Sequence, residues 1–140
     1  MRILALSEAN ILSIHSMAII AAAGKDGISA NKIAELTSCS KHHLFKVLDT
    51  LAKSGFIYST RGPAGGYHLK KNAEDILLIQ LFESLNGQVN EDELCYGKDR
   101  GSLNNLLFDN LCSDLSLRFI NYMRNTKLSD IMHRANFMIK

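Results

Sequence analysis

Residues 61–69, which read RGPAGGYHL, constrain the fold of this chain more than any other segment. Three glycines and the only proline lie within positions 62–66. A β-branched and aromatic run precedes them at 56–59, and a second short run follows at 67–69. Two strand-like runs around a loop of glycine and proline predict a β-hairpin, with the basic Arg61 at its tip.

Three helices are predicted before this hairpin. Apolar residues at helical spacing indicate a first helix over residues 3–23. Ser29 can cap a second helix over 30–37, and Ser40 can cap a third over 41–54. Helix, turn, helix and hairpin in this order are typical of a winged helix-turn-helix domain. The expected buried faces comprise Ile11, Ile14, Ala18 and Ala22 in the first helix, Ile33, Ala34 and Leu36 in the second, and Leu44, Val47, Leu48 and Leu51 in the third.

Further helices are predicted after the hairpin. Asn72 resembles the N-cap of a fourth helix, with Asp75 at its third position. A polar, acidic connection follows over residues 88–101, then a long helix over about 102–125 and a short one over about 126–138.

The expected fold is therefore mainly α-helical with one small β-hairpin. Residues 1–87 would form a winged helix-turn-helix DNA-binding domain, and residues 88–101 would form a connecting loop. Residues 102–140 would supply a long dimerisation helix and a C-terminal helix.

The long helix carries a wide apolar stripe. Leucine and other apolar residues recur at every fourth position from Leu103 to Met123, which is more apolar surface than one three-helix core needs to cover. Pairing with the same helix of a second copy would bury this stripe, whereas folding back on its own domain is the alternative. The residues expected at a dimer contact are Leu107, Leu111, Leu115, Phe119, Tyr122 and Met123.

Positive charge is concentrated in the first half of the chain. Residues 1–71 hold nine Lys and Arg against four Asp and Glu, a formal charge of +5. Residues 72–140 hold seven against ten, a charge of −3, which together account for the net +2. A basic half with a helix-turn-helix pattern indicates a polyanionic partner.

Several functional classes are disfavoured by the motifs that the sequence lacks. There is no nucleophile elbow, Walker loop or His-Glu-x-x-His motif, so no catalytic residue is assigned and no enzyme is expected. No uninterrupted apolar run is long enough to cross a bilayer. We expect a cytoplasmic protein that is not bound to a membrane.

These motifs resemble the Rrf-two family of winged-helix transcriptional regulators, that of IscR, NsrR and CymR. The resemblance implies a cytoplasmic homodimer that binds a double-stranded DNA operator. It places the third helix in the major groove, the hairpin in the adjacent minor groove and the long helix at the dimer contact. The residues that carry it are Ile33-Ala34, Leu48 and Leu51 followed by Gly55-Phe56-Ile57, the hairpin residues 61–69, and Ile76 to Leu85.

Physical chemistry agrees with that placement. The first residues of a recognition helix commonly face base edges, and a helix N-terminus favours a phosphate. Lysines suit phosphate contacts, and an arginine can enter a narrow minor groove. The candidate DNA-binding residues are Ser29, Ser40, Lys41, His42, His43, Lys46, Arg61, Gly62, Pro63, Gly65, Gly66 and Tyr67.

The cysteines depart from the pattern of the family. Several of its members hold an iron–sulfur cluster on three cysteines a few residues apart, whereas here none lies between Cys95 and Cys112. We therefore expect no iron–sulfur cluster. Cys39, close to His42 and His43, does not make a metal site either, because two further ligands are missing.

The leading hypothesis is thus a dimeric, sequence-specific DNA-binding regulator, a repressor without a cluster, whose signal is a small molecule or a protein co-regulator. Two alternatives stay open. One is an iron–sulfur or thiol-based redox sensor that uses Cys95, with Glu8, His15 or Asp109 as further cluster ligands. The other is a regulator that acts through a protein partner.

Overall fold

The computed structural model describes residues 6–89 and 103–134, except for the side chains of residues 103–109. The fold is mainly α-helical with one antiparallel hairpin, as predicted. Most of the connecting loop at 88–101, including Cys95, lies outside the described residues. The helices and strands are α1 (Glu8–Ala23), α2 (Ala30–Thr37), α3 (Lys41–Lys53), β1 (Ile57–Thr60), β2 (Gly66–Leu69), α4 (Leu78–Asn86), α5 (Leu103–Asn125) and α6 (Leu128–Arg134).

The helix-turn-helix unit forms as the serine caps predict. Ser29 Oγ accepts a hydrogen bond from the backbone N–H of Lys32, and Ser40 Oγ accepts one from the N–H of His43, each at 3.2 Å. Between the two helices Ser38 adopts the left-handed conformation with φ of 53°, which ends α2 and turns the chain into α3. The apolar face predicted for α3 is entirely buried.

Helix α1 is the centre of the core, and its buried face was predicted only in part: Ala18 is buried and Ile14 packs against the core, as expected. The helix packs against α2, α3, α4, α6 and β2, so apolar residues are covered on several sides rather than along one stripe. Leu12, Met17 and Ile20 are buried, whereas Ile11 is exposed. The prediction for Leu36 of α2 is also wrong, because only Ile33 and Ala34 of that helix are buried and the side chain of Leu36 is 46% exposed.

The start of α4 also differs from the prediction. Asn72 precedes a single 3₁₀ turn at Ala73–Asp75 and makes no side-chain capping bond, and the α-helix begins only at Leu78. The intervening backbone is extended because it pairs with the α5–α6 junction. The N–H of Leu128 donates to the carbonyl of Ile76 at 2.8 Å, and the N–H of Leu78 donates to that of Thr126 at 3.0 Å.

The predicted stripe of α5 divides between two surroundings. Four residues turn a helix by about 400°, so an i, i+4 series rotates by about 40° at each step. Leu111 and Leu115 are exposed, Phe119 is half-buried, and Met123 is only 3% exposed within the core. The assignment of Met123 to a dimer contact is therefore corrected, because its own chain already covers it.

Two glycines at the end of α1 provide a matched test of this packing. Gly24 and Gly27 have φ of 62° and 69°, in a region that side chains rarely adopt. A Cβ on Gly24 would meet nothing within 4 Å, whereas one on Gly27 would overlap the His68 ring of β2.

Gly24→Ala should lower the free energy of unfolding by about 1–3 kcal/mol through backbone strain alone. Gly27→Ala should cost about 1–3 kcal/mol more, because it also overpacks the hairpin. Urea denaturation of both variants measures the difference. Equal losses in the free energy of unfolding would show that the His68 side chain can move aside at no energetic cost.

Candidate nucleic-acid interface

The exposed face of α3 is the first component of the candidate site. Lys41, His42 and Lys46 are all exposed on this helix, with Ser40 exposed at its N-cap. Since Ser40 bonds only the N–H of His43, the N–H groups of the first two helical residues face outward at the positive end of the helix. This end of α3 therefore presents cations and backbone donors to an anion.

Ion pairs separate the basic side chains that already have a carboxylate partner from those that are available to a ligand. Lys53 binds Asp49 at 2.7 Å and Lys32 binds Glu35 at 3.3 Å. Within residues 6–89 and 103–134, Lys41, Lys46 and Arg61 have no carboxylate partner. No carboxylate of the described residues neutralises these three cations, so a polyanion can bind them in exchange for solvent ions.

The hairpin forms the second component, and it is held rigidly at its base. Strand β2 pairs with β1 on one side, in the register Ile57 to Leu69 through Thr60 to Gly66. On its other side Tyr67 exchanges two backbone hydrogen bonds with Ile28, at 2.8 and 3.2 Å. The hairpin is thereby fixed to the segment that leads into α2.

Glycines are required at two positions of the hairpin by close backbone contacts. A Cβ on Gly66 would lie 2.7 Å from the carbonyl oxygen of Ile28, and one on Gly65 would overlap the carbonyl oxygen of Thr60. The tip itself closes as a turn from Gly62 to Gly65, in which the N–H of Gly65 donates to the carbonyl of Gly62 at 2.9 Å. The turn leaves Arg61, Pro63 and Ala64 exposed.

Side chains along the strands stiffen the hairpin further. Thr60 Oγ1 accepts from the N–H of Gly66 at 3.2 Å and lies 3.1 Å from Nε2 of His68. The His68 ring stacks on Tyr58, with centroids 5.1 Å apart and planes inclined by 18°. These contacts restrict the motion of the tip relative to its base.

Tyr67 links the hairpin to the recognition helix. Partial burial raises the pKa of its phenol, and the negative charge of Asp49 on α3 raises that pKa further. The phenol is therefore neutral at physiological pH and lies in the field of a carboxylate from α3. Strand β1 also packs directly against α3, so hairpin and helix form adjoining parts of one surface.

The structure separates the predicted DNA-binding residues into two groups. Gly66 is buried and Tyr67 is partly buried, so they pack the hairpin against the rest of the fold and do not form its outer surface. His43 is also half-buried, and its Nε2 is enclosed without a hydrogen-bond partner among the described residues, which corrects its expected position toward base edges. Gly65 is half-buried in the turn. Those that lie exposed are Ser29, Ser40, Lys41, His42, Lys46, Arg61, Gly62 and Pro63.

Two residues of this surface were not predicted from the sequence. Phe45 is exposed on α3 although it is apolar, and Asp49 of the same helix raises the pKa of Tyr67 in the hairpin. Helical spacing alone would have identified both, because they follow the exposed Lys41 by four and eight positions.

The donor atoms of the described residues do not fit an iron–sulfur cluster. Such clusters take cysteine thiolates as their principal ligands. Cys39 lies before α3, where its thiol is 3.0 Å from the hydroxyl of Thr37, and Cys112 is half-buried within α5. In residues 6–89 and 103–134 no three His, Cys, Asp or Glu side chains group around a common point. The expectations for Cys95 lie outside this part of the chain.

The elements and their exposed cations define a winged helix-turn-helix of the DNA-binding class. The family model Rrf2, described as an iron-dependent transcriptional regulator, matches residues 6–134. The chain belongs to the Rrf2 family of transcription regulators, and it is a regulator rather than an enzyme. No helix in the described ranges is long and apolar enough to cross a membrane.

Individual relatives agree with this assignment. The chain is 29% identical to the transcriptional regulator IscR of Photobacterium profundum over 127 residues, which are 89% of this chain and 73% of that protein. It is 30% identical to IscR of Pectobacterium atrosepticum over 111 residues, 76% of this chain and 65% of that protein. The chain thus spans about two thirds to three quarters of the length of these relatives.

Solved structures share the fold. CymR of B. subtilis, named the global cysteine regulator of that organism, superposes with a TM-score of 0.72 at 22% identity, covering 94% of this chain and 98% of that one. IscR of T. potens gives 0.72 at 21% identity, covering 98% and 93%. At this identity the likeness establishes the architecture alone.

Proposed function

We propose that this protein is a homodimeric, cluster-free repressor that binds a specific double-stranded DNA operator in the cytoplasm. The observation that carries the proposal is the set of three cations on α3 and the hairpin tip that have no carboxylate partner in the part of the chain that the structure describes. Helix α3 would enter the major groove, and Arg61 would reach the adjacent minor groove. Repression is the simplest consequence, since a bound dimer would cover promoter DNA.

Arg61→Ala should weaken operator binding by about 1–3 kcal/mol, because the arginine is the only charged side chain at the rigid tip. Affinity measured across a salt titration should also show a slope reduced by about one contact. Lys127→Ala removes an equal charge from the α5–α6 junction and serves as the control. Unchanged affinity for Arg61→Ala would exclude the hairpin tip from the interface, and weak salt dependence of the wild type would favour a protein partner.

The proposed dimer contact is the exposed face of α5. Leu111, Leu115 and Tyr122 follow one another by four and seven residues, which places them within about 40° of each other around the helix. All three are exposed large side chains. Beside them Arg118 pairs with Asp114 at 3.0 Å, and Arg134 of α6 donates to the Tyr122 hydroxyl at 2.7 Å.

This face is suited to self-association because the core already fills the opposite side of α5. Phe119 is half-buried against its own chain, so it would border the contact rather than form its centre. The side chain of Leu107 lies outside the described set.

Leu115→Asp should dissociate the dimer, because a carboxylate would be buried at the centre of the contact. Leu117→Asp is the matched control: Leu115 and Leu117 are 46% and 41% exposed, but Leu117 lies about 200° further around α5. Light scattering of both variants gives the oligomeric state. A Leu115→Asp protein that stays dimeric would show that another surface forms the contact.

The proposal of a cluster-free state rests on the spacing of the cysteines, because none lies between Cys95 and Cys112. An iron-dependent state, which the family description names, would need donors from beyond the described residues. The signal would then be a small molecule or a protein co-regulator. No observation favours thiol sensing at Cys95.

Protein purified without oxygen should contain far less than stoichiometric iron and show no visible absorbance from a cluster. Its operator affinity should also be the same before and after treatment with an iron chelator. Stoichiometric iron with visible bands would contradict the proposal and identify the cluster sensor instead.

A further inference from the structure

Phe45 is the apolar exception on the exposed face of α3. The other large apolar residues of this helix, Leu44, Val47, Leu48 and Leu51, are buried, whereas the side chain of Phe45 is 49% exposed. It is also absent from the described side chains that pack against the core. The ring therefore contributes little to the stability of the described fold, and its exposed surface is available to a partner.

The position of Phe45 places it among the residues that face the proposed major groove. Lys41 precedes it by four positions and His42 by three, and Asp49 follows it by four, so all three are its neighbours on the helix surface. The ring thus lies one turn beyond the N-terminus of α3, on the exposed face that also carries Lys41 and Lys46. The Asp49 carboxylate lies on the other side of the ring, away from that N-terminus. A cationic helix start followed by one apolar ring matches a polyanion that displays an apolar group.

Among the groups that DNA presents in the major groove, the C5-methyl of thymine is the apolar one. The base edges of guanine, adenine and cytosine present hydrogen-bond donors and acceptors there, which a phenyl ring cannot satisfy. Pressing the ring against such an edge would remove water without replacing its hydrogen bonds. The ring therefore both attracts thymine and disfavours the other bases.

We propose that Phe45 is a specificity-determining residue that contacts the methyl group of a thymine in each operator half-site. This inference rests on the proposed function, because it requires α3 to lie in the major groove. It goes further in naming the base that the operator must carry and the chemical group by which that base is recognised.

The test removes the methyl group from the DNA and the ring from the protein. Operators selected by the full-length wild-type protein from random duplexes are resynthesised with deoxyuridine in place of one thymine at a time, in one half-site only. This change removes the methyl group and keeps base pairing intact. Affinities of the wild type, Phe45→Ala and Phe45→Leu are then measured on each duplex.

At one thymine position the wild type should lose about 3- to 5-fold in affinity, the effect of leaving one methyl group unburied. Phe45→Ala should bind the two duplexes equally, so the two losses do not add. Phe45→Leu, which keeps an apolar side chain, should retain part of the preference. Leu36→Ala removes another exposed apolar side chain, from α2, and should keep the wild-type preference.

A wild type that binds its selected operator but shows no deoxyuridine penalty at any position would overturn the role of Phe45 and leave the proposed function standing. A Phe45→Ala protein that keeps the full deoxyuridine penalty, whatever its overall affinity, would also overturn the role of Phe45. This result would indicate that the ring contacts a protein or has a structural role. Failure of the wild type to select any sequence would overturn both proposals. Circular dichroism of Phe45→Ala confirms that the exposed substitution leaves the fold intact.

Discussion

The backbone pairing between Ile28 and Tyr67 is the interaction on which the candidate site depends. It joins the segment leading into α2 to the inner strand of the hairpin, with hydrogen bonds of 2.8 and 3.2 Å. Without it the hairpin would be an isolated pair of four-residue strands, which is marginally stable in water. The absence of a side chain on Gly66 permits this approach, since a Cβ there would lie 2.7 Å from the carbonyl oxygen of Ile28.

The rigid base of the hairpin gives the charge of Arg61 at its tip a defined position. Arg61 is exposed at the end of a hairpin whose turn, strands and side chains are all bonded, so little conformational entropy remains to be lost on binding there. Strand β1 packs against α3, so the same surface continues onto that helix. Charge on both elements can then act on one ligand, with the phosphates providing affinity and the side chains at the start of α3 providing sequence preference.

Helix α5 has two faces with different surroundings. One face contributes Ile120 and Met123 to the core of its own chain, and the junction after it pairs with the backbone before α4. The other face leaves Leu111, Leu115 and Tyr122 exposed. A helix that is fixed to the DNA-binding unit and apolar on its free side can hold two such units at a constant spacing, which recognition of two half-sites requires.

Local sequence signals were sufficient for the parts of the fold that local chemistry controls. The serine caps of α2 and α3, the apolar face of α3 and the hairpin around residues 61–69 were predicted because each depends on neighbouring residues. The start of α4 was not, since its backbone is held extended by hydrogen bonds to residues about fifty positions away in the sequence.

The candidate site follows the same division. Composition and spacing identified its basic residues, because charge and helical position are properties of the sequence itself. Only the tertiary structure decided which residues of the site and of α5 are exposed. It partly buries His43, packs Gly66 against Ile28, covers Met123 and leaves Phe45 exposed. A helical or strand pattern states which residues share a face, but the elements packed around that face determine how much of it remains free to bind.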